Sequence, residues 1–83
     1  MNVRVYVSPK AGILDPQGAT VERALPALGF EGVSGVRIGK YIELQLRPAQ
    51  DADPAAVKEQ VDEMCRKLLA NPIIEDYRFE VDD

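Results

Sequence analysis

Apolar and polar positions alternate in three separate stretches of the chain. In "NVRVYV", Val3, Val5 and Val7 alternate with Arg4 and Tyr6. A period of two places the valines on one face of a pleated strand, and β-branched side chains suit such a half-buried surface. Near the other end, "IIEDYRFEV" carries Ile73, Tyr77, Phe79 and Val81, with Glu75 between them, and reads as a third strand region. Asp82 and Asp83 after it are expected to form a frayed tail.

Between these strands the period becomes helical. Val21, Ala24, Leu25 and Leu28 recur at i, i+3, i+4 and i+7, which makes one apolar helical face. Asp15 precedes that face as an N-cap, and Pro16 fits the first helical position, where its missing N–H costs nothing. Gly29 marks the C-terminal stop. Pro26 breaks the pattern, because it deletes the bond to the Glu22 carbonyl. The last turn is therefore expected to be kinked or frayed. A second helix repeats the grammar, with Asp53 as cap and Pro54 in the first turn. Val57, Val61, Met64, Cys65 and Leu68 form its expected buried stripe. Asp62 with Arg66, and Glu63 with Lys67, are i, i+4 pairs on its exposed side. Asn71-Pro72 ends it.

The middle β region, "VRIGKYIELQL" (Val36 to Leu46), admits two readings. A two-residue hairpin on Gly39-Lys40 would put Val36 and Ile38 on the face opposite Ile42, Leu44 and Leu46. A three-residue loop would keep the faces together, but its third position usually wants a left-handed glycine, and Tyr41 stands there. One continuous strand bent at Gly39 leaves only Lys40 out of place, so parity favours it over the hairpin. Eleven extended residues span roughly 36 Å. A compact chain of this size has a radius of gyration of about 12 Å. Such a strand would overshoot its own domain, and its open backbone groups would call for another chain to cover them.

The order is β-α-β-α-β, and the expected fold is an α+β two-layer sandwich, with two helices packed on one face of a small, mostly antiparallel sheet. At 83 residues, the expectation is one domain over residues 1–83. One cysteine allows no internal disulfide and fits a reducing compartment. The first residues show no long apolar run, and no stretch approaches the roughly 20 apolar residues of a membrane span. The cytosol is the expected location. A net charge of -4 opposes nucleic-acid binding, which draws on a basic surface. The absence of histidine removes the commonest general base near neutral pH.

No motif in the chain builds a convincing active site. "GILDPQG" lacks both GxGxxG and a Walker lysine, so a capped helix start explains it better than a phosphate cradle. Cys65 lies on the apolar stripe with no histidine to activate it, which favours a core thiol over a nucleophile. The acidic pairs Glu75-Asp76 and Asp51-Asp53 read as solvated charge near element ends rather than as metal ligands. No catalytic, cofactor or metal residue is expected. Lys40, flanked by Gly39 and Tyr41 on an otherwise apolar face, reads either as an interface contact or as a snorkelling lysine.

Three segments taken together, "SPKAGILDPQG", "VRIGKYIEL" and "NPIIEDYRFEV", resemble the PurS family, small subunits of phosphoribosylformylglycinamidine synthase. The resemblance covers essentially the whole chain. It implies a PurS-like fold and a non-catalytic role in de novo purine synthesis, at the conversion of formylglycinamide ribonucleotide to formylglycinamidine ribonucleotide. It implies a homodimer or homotetramer that docks a glutaminase subunit and a large synthetase subunit, and that supports ammonia transfer between them. ATP, Mg and glutamine would be used by those partners, and no cofactor by this chain. Carried over by position, the implied assembly and docking residues are Lys10, Gly12, Asp15, Pro16, Gln17 and Gly18, then Gly39, Lys40, Tyr41 and Glu43, then Asn71, Pro72, Glu75, Asp76 and Tyr77. Ala11 departs from the family's common proline after the lysine, and Pro26 is unusual within the first helix. The competing expectation is a small-molecule-sensing regulatory module.

Overall fold

The computed structural model describes residues 1–82. Three strands and two helices alternate as expected: β1 (Asn2–Pro9), α1 (Pro16–Ala27), β2 (Lys40–Gln45), α2 (Pro54–Met64) and β3 (Glu75–Asp82). A π-helical turn, Cys65–Leu69, continues α2. The sheet order is β2-β1-β3 and both pairings are antiparallel. The architecture is the α+β sandwich of helices on an antiparallel sheet.

Register explains why β1 is central. Val5 lies between Ile42 and Phe79, and Val3 between Leu44 and Val81. All three β1 valines are buried, so the strand with the purest apolar face takes the place with neighbours on both sides. Val61 and Cys65 close the core from α2 with no exposed surface, and Ala70 joins them. The opposite face of the sheet carries Arg4, Tyr6 and Ser8 on β1, with Tyr41 and Glu43 on β2 and Arg78 and Glu80 on β3.

Several expectations change. Neither a hairpin nor an eleven-residue strand forms at Gly39-Lys40. Pairing with β1 stops at Lys40 opposite Val7, so β2 has six residues. The amides of Val36 and Ile38 bond instead to side chains of α1 and its cap. The π turn corrects the α2 stripe. Its Ala70 N–H reaches the Cys65 carbonyl, one residue further than an α-helical bond. The extra residue turns Leu68 out, to 84% exposed, while Leu69 joins the core. Ile73 falls in the turn before β3 rather than in the strand, and is 83% exposed. Asp82 is not frayed. It pairs with Asn2 across the sheet and its carboxylate meets Arg4. Asp83 lies outside the described residues.

The two helices are used unequally. α2 lies on the sheet, whereas the one buried residue of α1 is Gly18. The apolar stripe of α1 exists but is open to solvent: Val21 and Leu28 are exposed, as are Leu14 before the helix and Phe30 after it. Pro26 does not fray the end. The helix closes in a Schellman motif, in which Phe30 N–H bonds Leu25 O and Gly29 N–H bonds Pro26 O, each at 3.0 Å, with Gly29 at φ +95°. The chain is elongated, measuring 55 × 25 × 15 Å, with a radius of gyration of 16.6 Å.

Candidate docking site

The site is built at the end of the sheet where β1 leaves and β2 and β3 begin. Its first part is the junction with α1. Asp15 caps the helix by accepting from Gly18 N–H at 3.0 Å through Oδ1. Its Oδ2 accepts from Ile38 N–H at 2.8 Å. Two turns on, Glu22 Oε1 accepts from Val36 N–H at 3.0 Å. Two carboxylates thus hold alternate amides of one segment against the helix. Gly18 makes the approach possible, because a Cβ there would stand 2.5 Å from the Val36 carbonyl oxygen and inside the Asp15 carboxylate.

The amides of Gly18 and then Ile38 hold the Asp15 carboxyl below its usual range. A carboxylate depressed in the folded state stabilises it above the unfolded value of about 4, and that contribution is lost as pH falls through the folded value. Asp15→Ala is therefore expected to lower the melting temperature by about 5 °C at neutral pH. The deficit should shrink as both proteins are taken well below pH 4. Thermal melts of the two proteins across pH 2–7 check this, and a deficit that grows on acidification would contradict it.

The second part is the strand corner. Lys10 N–H donates to Ile74 O at 2.9 Å, and its Nζ stands 3.7 Å from Asp76 Oδ1. Arg37 Nη1 donates to Pro9 O at 3.1 Å. Gly39 sits so close to β1 that any Cβ would fall into the Val7 carbonyl. Lys40 is exposed, with its ammonium 3.5 Å from Leu69 O. Asn71 closes the turn into β3: its Oδ1 accepts from Ile73 N–H at 3.1 Å, its N–H donates to Glu75 Oε1 at 2.7 Å, and its carbonyl accepts from Glu75 N–H at 2.7 Å. The Tyr77 hydroxyl donates to Asp62 Oδ1 at 2.6 Å, which ties β3 to α2. That bond, and then Arg66, hold the Asp62 carboxyl low, while the phenol is raised.

The structure therefore gathers Lys10, Gly39, Lys40, Tyr41, Asn71, Glu75, Asp76 and Tyr77 at one end, beside the Asp15–Gly18 junction. Gly12, Pro16 and Gln17 are exposed on the loop leading into α1 and at its first turn, apart from a half-buried Asp15 between them. Glu43 stands apart, opposite Arg4 further along the sheet. Sequence reasoning missed Tyr6, Ser8, Arg78 and Glu22. The first three sit at polar positions of alternating strands, and only the register shows that they meet.

Cys65 is fully buried, and burial raises its thiol, as suits a core residue. Among the described residues no group of three or more His, Cys, Asp or Glu side chains is placed to hold a metal ion. No helix among them is long and apolar enough to cross a membrane.

Comparison with known proteins agrees with this architecture over its whole length. The family described as "PurS: Phosphoribosylformylglycinamidine (FGAM) synthase" matches residues 2–83. The chain belongs to the PurS family. It is 49% identical over 81 residues to the Bacillus subtilis phosphoribosylformylglycinamidine synthase subunit PurS, covering 98% of this chain and 92% of that one. The Synechocystis PurS subunit is 50% identical over 78 residues, covering 94% and 75%. Among solved structures, B. subtilis PurS superposes with a TM-score of 0.82 at 50% identity, over 99% of this chain and 98% of that one. A chain of the Thermotoga maritima PurLQS structure superposes with a TM-score of 0.80 at 29% identity, over 95% and 93%. These PurS relatives share the fold.

Proposed function

We propose that this chain, acting as one domain, is the non-catalytic assembly subunit of a phosphoribosylformylglycinamidine synthase. It joins a glutaminase subunit to an ATP-dependent synthetase subunit and supports the transfer of ammonia that turns formylglycinamide ribonucleotide into formylglycinamidine ribonucleotide. The match to a chain of the PurLQS structure supports partners of this kind. The observation that carries the reading is the apolar surface of α1 and the loop after it, which the rest of the chain leaves open. A surface so placed stabilises the protein only when another chain covers it. A second copy of this chain is the occupant we assign, giving a homodimer or homotetramer. The strand corner, with Lys10, Lys40 and Asn71, faces the other subunits. The cytosol is the assigned location.

The direct test mixes the purified chain with the synthetase and glutaminase subunits and follows glutamine-dependent turnover. Turnover should need all three, and equal activity without this chain would overturn the proposal. Lys40→Ala sharpens it. The ammonium has one long bond to a carbonyl, so its loss should leave the melting temperature nearly unchanged while weakening complex formation. Parallel losses in both would mark Lys40 as a folding residue.

A further inference from the structure

The outer face of the sheet holds a depression of about 460 Å³, in the size range of small-molecule sites. Its floor is one row across three strands. Tyr6 is the register partner of Tyr41 on one side and of Arg78 on the other. The two rings lie 5.2 Å apart at 33°, and the Arg78 guanidinium sits 3.9 Å above the Tyr6 ring. One side of Tyr6 is thus taken by a cation, while Tyr41 stays 52% exposed. The next row pairs Ser8 with Asp76. The sheet needs none of these side chains for its core, which lies on the other face.

The charge at this corner runs against that of the chain. The whole sequence carries -4. Yet Arg78, which also meets Glu80 Oε1 at 3.2 Å, and Lys40 line the depression, Lys10 reaches to Asp76, and Arg37 docks on the neighbouring Pro9 carbonyl. Asp76 is the one carboxylate among the lining residues. A flat π surface, a hydroxyl and a carboxylate that can take sugar hydroxyls, and a surplus of cations make a specific combination. Aromatic rings stack heteroaromatic bases, and guanidinium forks take phosphate oxygens. A single platform on an acidic chain suits one nucleotide rather than a strand.

We propose that this depression binds a mononucleotide, with the base on Tyr41, the ribose near Ser8 and Asp76, and the phosphate on Arg78 and Lys10. The site is separate from the α1 surface and shares Tyr41 and Asp76 with the strand corner assigned to the other subunits. A nucleotide there couples its own level to the docking of those subunits.

Titration of the full chain with AMP by calorimetry, beside adenosine and inorganic phosphate, tests this. Saturable AMP binding is expected, at least fivefold tighter than either half. Tyr41→Leu keeps a strand-compatible apolar side chain but removes the ring, and should weaken AMP at least fivefold with unchanged circular dichroism. Arg78→Gln should bring AMP down to the affinity of adenosine. No saturable heat with AMP, phosphate binding as well as AMP, or an affinity indifferent to both substitutions would each overturn the proposal. The assembly role is read separately, from glutamine-dependent turnover of the wild-type reconstituted synthase with and without this chain, so a failed titration leaves it standing.

Discussion

Leu28→Glu combined with Phe30→Glu is expected to leave a folded chain that no longer self-associates. Leu28 is 71% exposed and Phe30 59% exposed in the single chain, so neither contributes much to the core. Their removal should therefore barely move the melting of an isolated protomer. In the proposed assembly the same side chains are covered, and burying each contributes about 1.5–3 kcal/mol. A two-fold interface counts every residue twice, so the double variant forfeits roughly 4 kcal/mol or more and adds charges to a dry surface. That corresponds to about a thousandfold loss of affinity. Sedimentation should show a protomer where the wild type shows an oligomer, and reconstituted glutamine-dependent turnover should fall with it. A double variant of unchanged mass would show that α1 is not the self-association surface.

Val61→Asp is the opposite case and should abolish the fold. Val61 has no exposed surface and lies among Val3, Val5, Val7 and Cys65. The described core offers a carboxylate no partner, since its buried members are all apolar. An unpaired buried charge costs several kcal/mol, and the valine's own apolar packing is forfeited as well. A chain of this size has roughly 5 kcal/mol to lose. Circular dichroism should report an unfolded or molten chain at 25 °C. A cooperative melt close to that of the wild type would mean that α2 does not seat on the valine face. Together the two variants separate what holds the protomer from what holds the assembly.

The alternation in β1 and β3 is sufficient to place three valines against one face and to mark the strands of a β-α-β-α-β order. The caps were equally plain, since Asp15-Pro16 and Asp53-Pro54 act through bonds only three residues long. Family membership was legible for the same reason, being carried by short motifs whose residue types and spacing are visible in one dimension.

What failed depended on distance in space. The middle strand looked eleven residues long because its pattern continues. It ends at Lys40, although β1 runs on to Pro9, because two carboxylates from the α1 side take the amides of Ile38 and Val36. Leu68 matched the helical period, but a π turn, formed as the chain leaves α2 for β3, moved it to solvent. The α1 stripe was read correctly as apolar, yet periodicity states only that residues share a face. Whether that face is covered depends on what lies opposite, and among the described residues no helix or strand packs there. The tyrosine–arginine row is of the same kind, because Tyr6, Tyr41 and Arg78 are far apart in sequence and meet only through register. Local bonding fixed the elements and their ends, and the pairing of distant strands alone decided which faces were left for other molecules.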